Sequence, residues 1–173
     1  MHTNPENHYK YCPRCSSKGL FNNTELSFKC EKCGFHFFLN SAAAVTALIF
    51  NNKGELLLST RGIEPFMGKL DLPGGFVDPG ENAETALLRE MKEELDIEPQ
   101  SISYFGSFAN QYLFSGTIVH TVDIVFTCKF DNLENIKPHD DITGFIFIKP
   151  NSIDLNDIPF ESVKNIIKHL QNE

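Results

Sequence analysis

Glu90, Glu93 and Glu94 fall at i, i+3 and i+4, so a helix through them gathers three carboxylates on one face. Like charges at that spacing repel, and a hard divalent cation with oxygen ligands is the natural counterweight. The plainer reading of such a face is solvated acidic surface. Gly74-Gly75, upstream, lets the backbone come close enough for a carbonyl to add another oxygen ligand. Arg89 can reach Glu93 one turn on, or a loop carboxylate such as Glu81, and orient either.

A second chemistry sits near the amino terminus, where Cys12-Pro13-Arg14-Cys15 and Cys30-Glu31-Lys32-Cys33 form two C-x2-C pairs 14 residues apart. Each pair can wrap one side of a tetrahedral ion, so structural zinc is favoured over two disulfides or redox chemistry. Four cysteine ligands leave no open position, which makes this a zinc ribbon rather than a catalytic metal site. Lys10, Arg14, Lys18, Lys29 and Lys32, with Tyr9, Tyr11, Phe21, Phe35, Phe37 and Phe38, give it the composition of an RNA or protein contact. Four thiolates and one Zn2+ offset the local positive charge, so nucleic acid is admitted as a partner but not favoured. The fifth cysteine, Cys128, lies in an alternating apolar stretch and reads as a small buried hydrophobe.

The elements that must carry these groups follow from periodicity. Ala83, Ala86, Leu87, Met91 and Leu95 recur at helical spacing after Asn82, a plausible cap, and place the carboxylates on a helix from 82 to 95. Ala42 to Phe50 and Glu55 to Thr60 read as strands joined at Asn51-Asn52-Lys53-Gly54, a hairpin pattern. Ile102 to Phe114 and Thr117 to Phe130 read as long strands about the turn Ser115-Gly116. Ile118, Val122, Ile124, Phe126, Cys128 and Phe130 should form one apolar face, interrupted by His120 as a core histidine. Phe145 to Ile148 is a further strand and Glu161 to Leu170 a closing helix. In the ribbon, Gly19, Asn22 and Asn23 should turn the chain, with strands from Leu26 to Cys30 and from Phe35 to Leu39. The order predicts an α+β protein of two parts, residues 1–39 and 40–173.

Composition narrows the partners. The 173 residues carry a net charge of −8, and 78–98 alone hold eight acids against two bases. An acidic chain is not built to coat polyphosphate, unless metal neutralises that one segment. The polar start and the lack of any long apolar run predict no signal peptide, no membrane partner and a cytoplasmic location.

The stretch from Gly75 through five residues to Glu81, through seven more to Arg89-Glu90-Met91, and on to Glu93-Glu94 and Ile97 resembles the Nudix box. One position departs: Asp96 stands where the box has glycine, at the helix exit, where left-handed geometry tolerates Asp. Arg61, the approach from Gly68 to Gly75, and the strand and helix from Thr143 onward extend the resemblance over about 40–173. A preceding zinc ribbon is similar to the layout of NADH pyrophosphatases. The resemblance implies the Nudix fold, a mixed β-sheet between helices, and hydrolysis of a nucleoside diphosphate linked to another moiety by metal-activated water. It implies Mg2+ or Mn2+ held by Glu90, Glu93, Glu94 and the Gly75 carbonyl, with Arg89 orienting carboxylates and Glu81 as an outer partner. The general base it leaves among Glu90, Asp140 and Asp141.

Arg61 and Lys69 are then candidates for phosphate contact, with solvated surface as the alternative. NADH pyrophosphatases carry Ser-Gln-Pro-Trp-Pro-Phe-Pro after the box, whereas Ser107 to Phe114 here keeps Gln111 beside Tyr112 without Trp or Pro. Gln111 and Tyr112 become the substrate-binding candidates, Tyr112 or Phe114 stacking on a base, and ADP-ribose stands level with NADH and NAD. Two other functions compete: a nucleotide-sensing regulator, and an enzyme removing NAD caps whose ribbon contacts RNA or protein. A homodimer is compatible with each.

Overall fold

The computed structural model describes residues 9–18, 20–24 and 27–172, with 20–24 described by backbone alone. The turn expected at Gly19 and the strand start expected at Leu26 lie outside these residues. Two compact units emerge, one from the chain up to Ser41 with Gln111–His120, the other from Ala42–Asn110 with Thr121–Glu173.

In the first unit, β1 (Leu20–Thr24), β2 (Ser27–Cys30) and β3 (His36–Phe38) form an antiparallel sheet in chain order. Asn22 and Asn23 therefore lie in a strand, correcting the expected turn. Leu20, Phe21 and Asn22 pair with Cys30, Lys29 and Phe28, and ladder bonds outweigh the turn preference of asparagine. Phe28 stacks on Phe37 at 5.0 Å and meets Tyr9 at 5.0 Å. The buried hydrophobic cluster here is Cys12, Phe28 and Cys30, a core so small that it needs a further staple.

The second unit has β4 (Ala42–Ile49), β5 (Leu56–Arg61), β6 (Leu70–Asp71), β7 (Gly74–Phe76), α1 (Ala83–Leu95), β10 (Ile142–Ile148) and α2 (Glu161–Gln171), with β8 (Ser101–Phe114) up to Asn110 and β9 (Thr117–Lys129) from Thr121. One sheet runs β7-β4-β9-β8 and another β10-β5-β6, an α+β arrangement. The first is mixed because β4 runs parallel to β9 and antiparallel to β7. The expected hairpin of β4 and β5 is thus corrected. The Asn51–Gly54 turn forms, with Gly54 N–H donating to the Asn51 carbonyl at 2.9 Å, but beyond one bridge, Phe50 to Leu56, the strands part into different sheets. Each is a continuous buried run, Val45–Ile49 and Leu56–Ser59, and takes two neighbours elsewhere.

Helix α1 packs on β4 and β7. Ala86, Leu87, Met91 and Leu95 are buried against Val45, Ala47, Ile49, Phe126 and Cys128. On β9 the expected apolar face holds at Ile124, Phe126 and Cys128 and fails toward the start, where His120 and Val122 are exposed. His120 is therefore no core histidine. The alternate residues Thr121, Asp123 and Val125 are buried, so the start of β9 is covered on their face alone, and both faces are covered only further along, where Val125, Phe126 and Cys128 are all buried. No helix among the described residues is long and apolar enough to cross a membrane.

Candidate active site and thiolate cluster

The four ribbon cysteines converge. Their sulfurs all lie within 4.8 Å of one another, with Cys12 to Cys33 at 3.6 Å and Cys15 to Cys30 at 3.7 Å. Disulfide sulfurs sit about 2.05 Å apart, whereas thiolates on one tetrahedral zinc with ~2.3 Å bonds sit roughly 3.8 Å apart. The donor set fits zinc. Two equivalent turns deliver it: Ser16 N–H donates to the Cys12 carbonyl at 2.8 Å and Gly34 N–H to that of Cys30 at 2.9 Å, with φ of 56° and 71°. Ser17 Oγ lies 3.0 Å from Cys15 Sγ and 3.3 Å from Cys30 Sγ. That hydroxyl is the main cause drawing Cys30 down to about 6, and it lowers Cys15 too. Cys33, despite its contact with the Phe35 backbone, is pushed up to about 12 by burial and its fellow thiols. No sequence pattern singled out Ser17.

The carboxylate helix begins at Asn82, whose Oδ1 accepts from Thr85 N–H at 2.8 Å, and ends at Asp96 in the left-handed conformation, φ 53°. Asp96 and Ile97 N–H close the end on the Lys92 and Met91 carbonyls. The expected aspartate exit is what forms. Between these caps Glu90, Glu93 and Glu94 face a cleft of about 280 Å³, lined also by Gly74, Gly75, Phe76, Arg89, Asp140 and Asp141. Gly74 is sterically required, and Gly75 leaves room for a carboxylate. A Cβ on Gly74, at φ 143°, would sit 2.0 Å from the Val45 carbonyl oxygen, and one on Gly75 would sit 2.4 Å from Glu90 Oε1.

Arg89 organises the cleft. Its Nε and one terminal nitrogen donate to the two oxygens of Glu81, each at 3.0 Å. The other terminal nitrogen donates to Glu90 at 2.8 Å and Glu93 at 2.9 Å, while the nitrogen that serves Glu81 also donates to the Phe76 carbonyl at 2.9 Å. Hydrogen bonding to Glu81 raises the Arg89 pKa further, and Arg89 in turn lowers that of Glu81. Glu94 is nearly buried and accepts from Gly74 N–H at 2.9 Å. Burial, only partly offset by that bond, pushes it up to about 8, with Glu90, Asp71 and Asp141 adding to the rise. Burial also raises Glu90, against the pull of Arg89. Hard oxygen donors, a floor with no room for a side chain, and carboxylates holding protons too tightly together fit a divalent cation.

Other sequence candidates sit elsewhere. Arg61 donates to the Pro65 carbonyl at 2.8 Å and to Asp71 at 2.9 Å, and its guanidinium lies 5.0 Å from the Phe160 ring centroid. Lys69 donates to the Asn156 carbonyl and to Asp157, beside a separate cavity of about 370 Å³. Gln111 and Tyr112 belong to the compact unit that holds the ribbon. Sequence reasoning missed Asp71 and Asp123, carboxylates enclosed among strands. Burial pushes Asp71 up to about 6 despite Arg61. Their alternation with apolar neighbours was the available signal.

Residues 40–169 match the NUDIX domain. The NAD-capped RNA hydrolase NudC of Pseudomonas aeruginosa is 25% identical over 143 residues, 76% of this chain and 50% of that protein. The chain thus spans about half the length of that relative. The ADP-ribose pyrophosphatase of Methanocaldococcus jannaschii is 34% identical over 125 residues, 72% of this chain and 69% of that one. A NUDIX hydrolase structure from Nitrosomonas europaea superposes with a TM-score of 0.69 at 22% identity, over 95% of this chain and 92% of that chain, a shared fold. The carboxylate helix, the glycine floor and the Arg89 fork all lie inside a match that covers most of the sequence, and the chain belongs to the NUDIX family.

Proposed function

We propose that the protein hydrolyses the diphosphate linkage of a nucleoside diphosphate derivative of the NAD(H) or ADP-ribose type. One observation carries this: Glu90, Glu93, Glu94 and the Gly75 backbone border one cleft, with Arg89 bonded to two of the three carboxylates. The names of the Pseudomonas and Methanocaldococcus relatives point to the same substrate class. Retention of every box carboxylate favours turnover over nucleotide sensing.

Glu90, Glu93, Glu94 and the Gly75 carbonyl would hold Mg2+ or Mn2+. When bound, such an ion neutralises the diphosphate and lowers the pKa of a water it carries. Arg89 keeps Glu90 and Glu93 aimed at the cleft, and Glu81 holds Arg89 in turn. Asp140 and Asp141 line the same cleft with no ion pair to a base among the described residues, so the proton acceptor is drawn from this pair rather than from Glu90. Residues 1–39 form the ribbon, with Zn2+ in a structural role on Cys12, Cys15, Cys30 and Cys33, and 40–173 the catalytic domain. A four-thiolate zinc site suits the reducing cytoplasm.

The test is product identification after incubation with Mg2+ or Mn2+ and NADH, NAD, ADP-ribose, NAD-capped RNA, dinucleoside polyphosphates and nucleoside triphosphates. Cleavage of the first three between the phosphates supports the reading. Turnover of triphosphates alone, or of nothing, sinks it.

A further inference from the structure

The two cysteine turns repeat one backbone design. In the first, Cys12 N–H donates to the Ser17 carbonyl at 3.0 Å; in the second, Cys30 N–H donates to the Phe35 carbonyl at 2.8 Å. Cys12 thus corresponds to Cys30, Cys15 to Cys33, Ser16 to Gly34 and Ser17 to Phe35, at one constant offset in the sequence. Burial repeats in the same way: Cys12 and Cys30 are each 1% exposed, and Cys15 and Cys33 are half-buried. Each of the latter also has the backbone two residues on as a hydrogen-bonding neighbour, Ser17 for Cys15 and Phe35 for Cys33.

One position breaks the repeat. Ser17 carries a hydroxyl where Phe35 carries a ring that meets Phe37 at 5.7 Å. Ser17 Oγ reaches Cys15 Sγ of its own turn at 3.0 Å and Cys30 Sγ of the other turn at 3.3 Å. Thiolates on a metal hold no proton, so in a loaded site the hydroxyl is the donor, and two sulfurs from different turns share its single proton. The bond from Cys12 N–H holds the Ser17 backbone whatever its side chain does. Phe35 has no such group to offer Cys33, whose side-chain neighbours are its fellow thiols, with Cys12 Sγ at 3.6 Å.

A hydrogen bond donated to a metal-bound thiolate draws charge from the sulfur and fixes its direction, and outer partners of this kind contribute roughly 10–100-fold to metal affinity. The four ligands are therefore unequal. Burial shuts Cys12 and Cys30 off from an incoming ligand. Cys15 and Cys33 are both within its reach, and of these two Cys15 is the one held by the hydroxyl.

We propose that Ser17 is a positioning residue of the zinc site: its hydroxyl clamps Cys15 and Cys30 across the two turns, and release of the ion begins at Cys33. The inference rests on the reading of the four cysteines as a structural zinc site. An incoming ligand first takes the place of Cys33, and the ion stays on the other three sulfurs until the clamp parts.

The experiment uses the full zinc-loaded chain. A chromogenic chelator in excess times zinc release, iodoacetamide traps each thiolate as it comes free, and peptide mass spectrometry places the adducts. In wild type the first adduct should fall on Cys33, ahead of Cys15. Ser17→Ala should release zinc roughly tenfold faster and bring Cys15 adducts level with those of Cys33. Ser17→Thr and Ser17→Val share a shape and differ in the hydroxyl, so the Thr variant should keep the wild-type rate and order while the Val variant follows Ala. Failure of the Ala and Val variants to load zinc, with the Thr variant loading normally, supports the clamp as well. A first adduct on Cys15 in wild type, wild-type release from the Ala variant, or Thr and Val variants that behave alike would each overturn it. A wild-type chain that takes up no zinc refutes the zinc reading and the clamp with it, whereas a loaded chain that opens first at Cys15 refutes the clamp alone.

Discussion

Arg89, within the helix, grips the loop residue Glu81, eight positions before it, with two parallel hydrogen bonds of 3.0 Å each. A planar guanidinium does this and an ammonium cannot. The fork frees the remaining nitrogen for Glu90 and Glu93, so one side chain fixes three carboxylates.

Replacing Arg89 by Lys therefore keeps the charge and loses the geometry. Activity and divalent-metal affinity should fall roughly 10–100-fold with little change in melting temperature. Steady-state kinetics across a metal titration, beside a thermal melt, checks this. A variant as active as wild type would show that the fork is idle.

The two floor glycines should separate stability from chemistry. Gly74→Ala drives a Cβ onto the Val45 carbonyl at φ 143° and should cost more than about 4 kcal/mol or prevent folding. Gly75→Ala meets only the Glu90 carboxylate, which can swing aside, so the protein should fold and lose metal affinity. Denaturant melts and metal titration by calorimetry distinguish the two, and equal destabilisation would refute the distinction.

Glu94 gives a pH signature. Its folded pKa of about 8 lies above the ordinary carboxylate value, so the folded metal-free protein binds this proton more tightly than the unfolded chain. The stabilisation is complete below about pH 4 and is lost as pH rises through about 8. Metal-free wild type should lose melting temperature over that range more steeply than Glu94→Gln, whose amide can still accept from Gly74. Saturating Mg2+ should flatten the difference. Parallel slopes in the two metal-free proteins would count against it.

Cysteine reactivity should come in two steps. With zinc bound, iodoacetamide should label none of the five cysteines; after chelation the ribbon loses its staple and four should react. Cys128, whose thiol burial pushes up to about 12, should react only in denaturant. Mass spectrometry counts the adducts, and early labelling of Cys128 would contradict its burial.

Local rules carried the site further than they carried the strands. The caps at Asn82 and Asp96, the carboxylate face and the cysteine turns depend on residues a few positions apart, and the sequence states those spacings directly. The pairing of β4 with β9 does not, because its partners are some 80 residues apart and nothing near Asn51 shows that the turn joins two sheets. Strands β6 and β7, of two and three residues, are too short to show a period. Asp71 and Asp123 drew no reading from the sequence, because only the sheets that enclose them set them apart from other aspartates, and Arg61, read as a phosphate ligand or surface group, has Asp71 and Phe160 as neighbours.

The parallel seating of β4 also sets a timetable for synthesis. This strand, which backs the glycine floor through its pairing with β7, has its second edge completed only by β9. While the ribosome makes the intervening chain, a strand with five consecutive buried-type residues waits with one edge bare. Long-range pairing of this kind is slow, and bare apolar edges recruit other chains. Nascent protein stalled before Cys128 should thus be the most aggregation-prone form this sequence passes through.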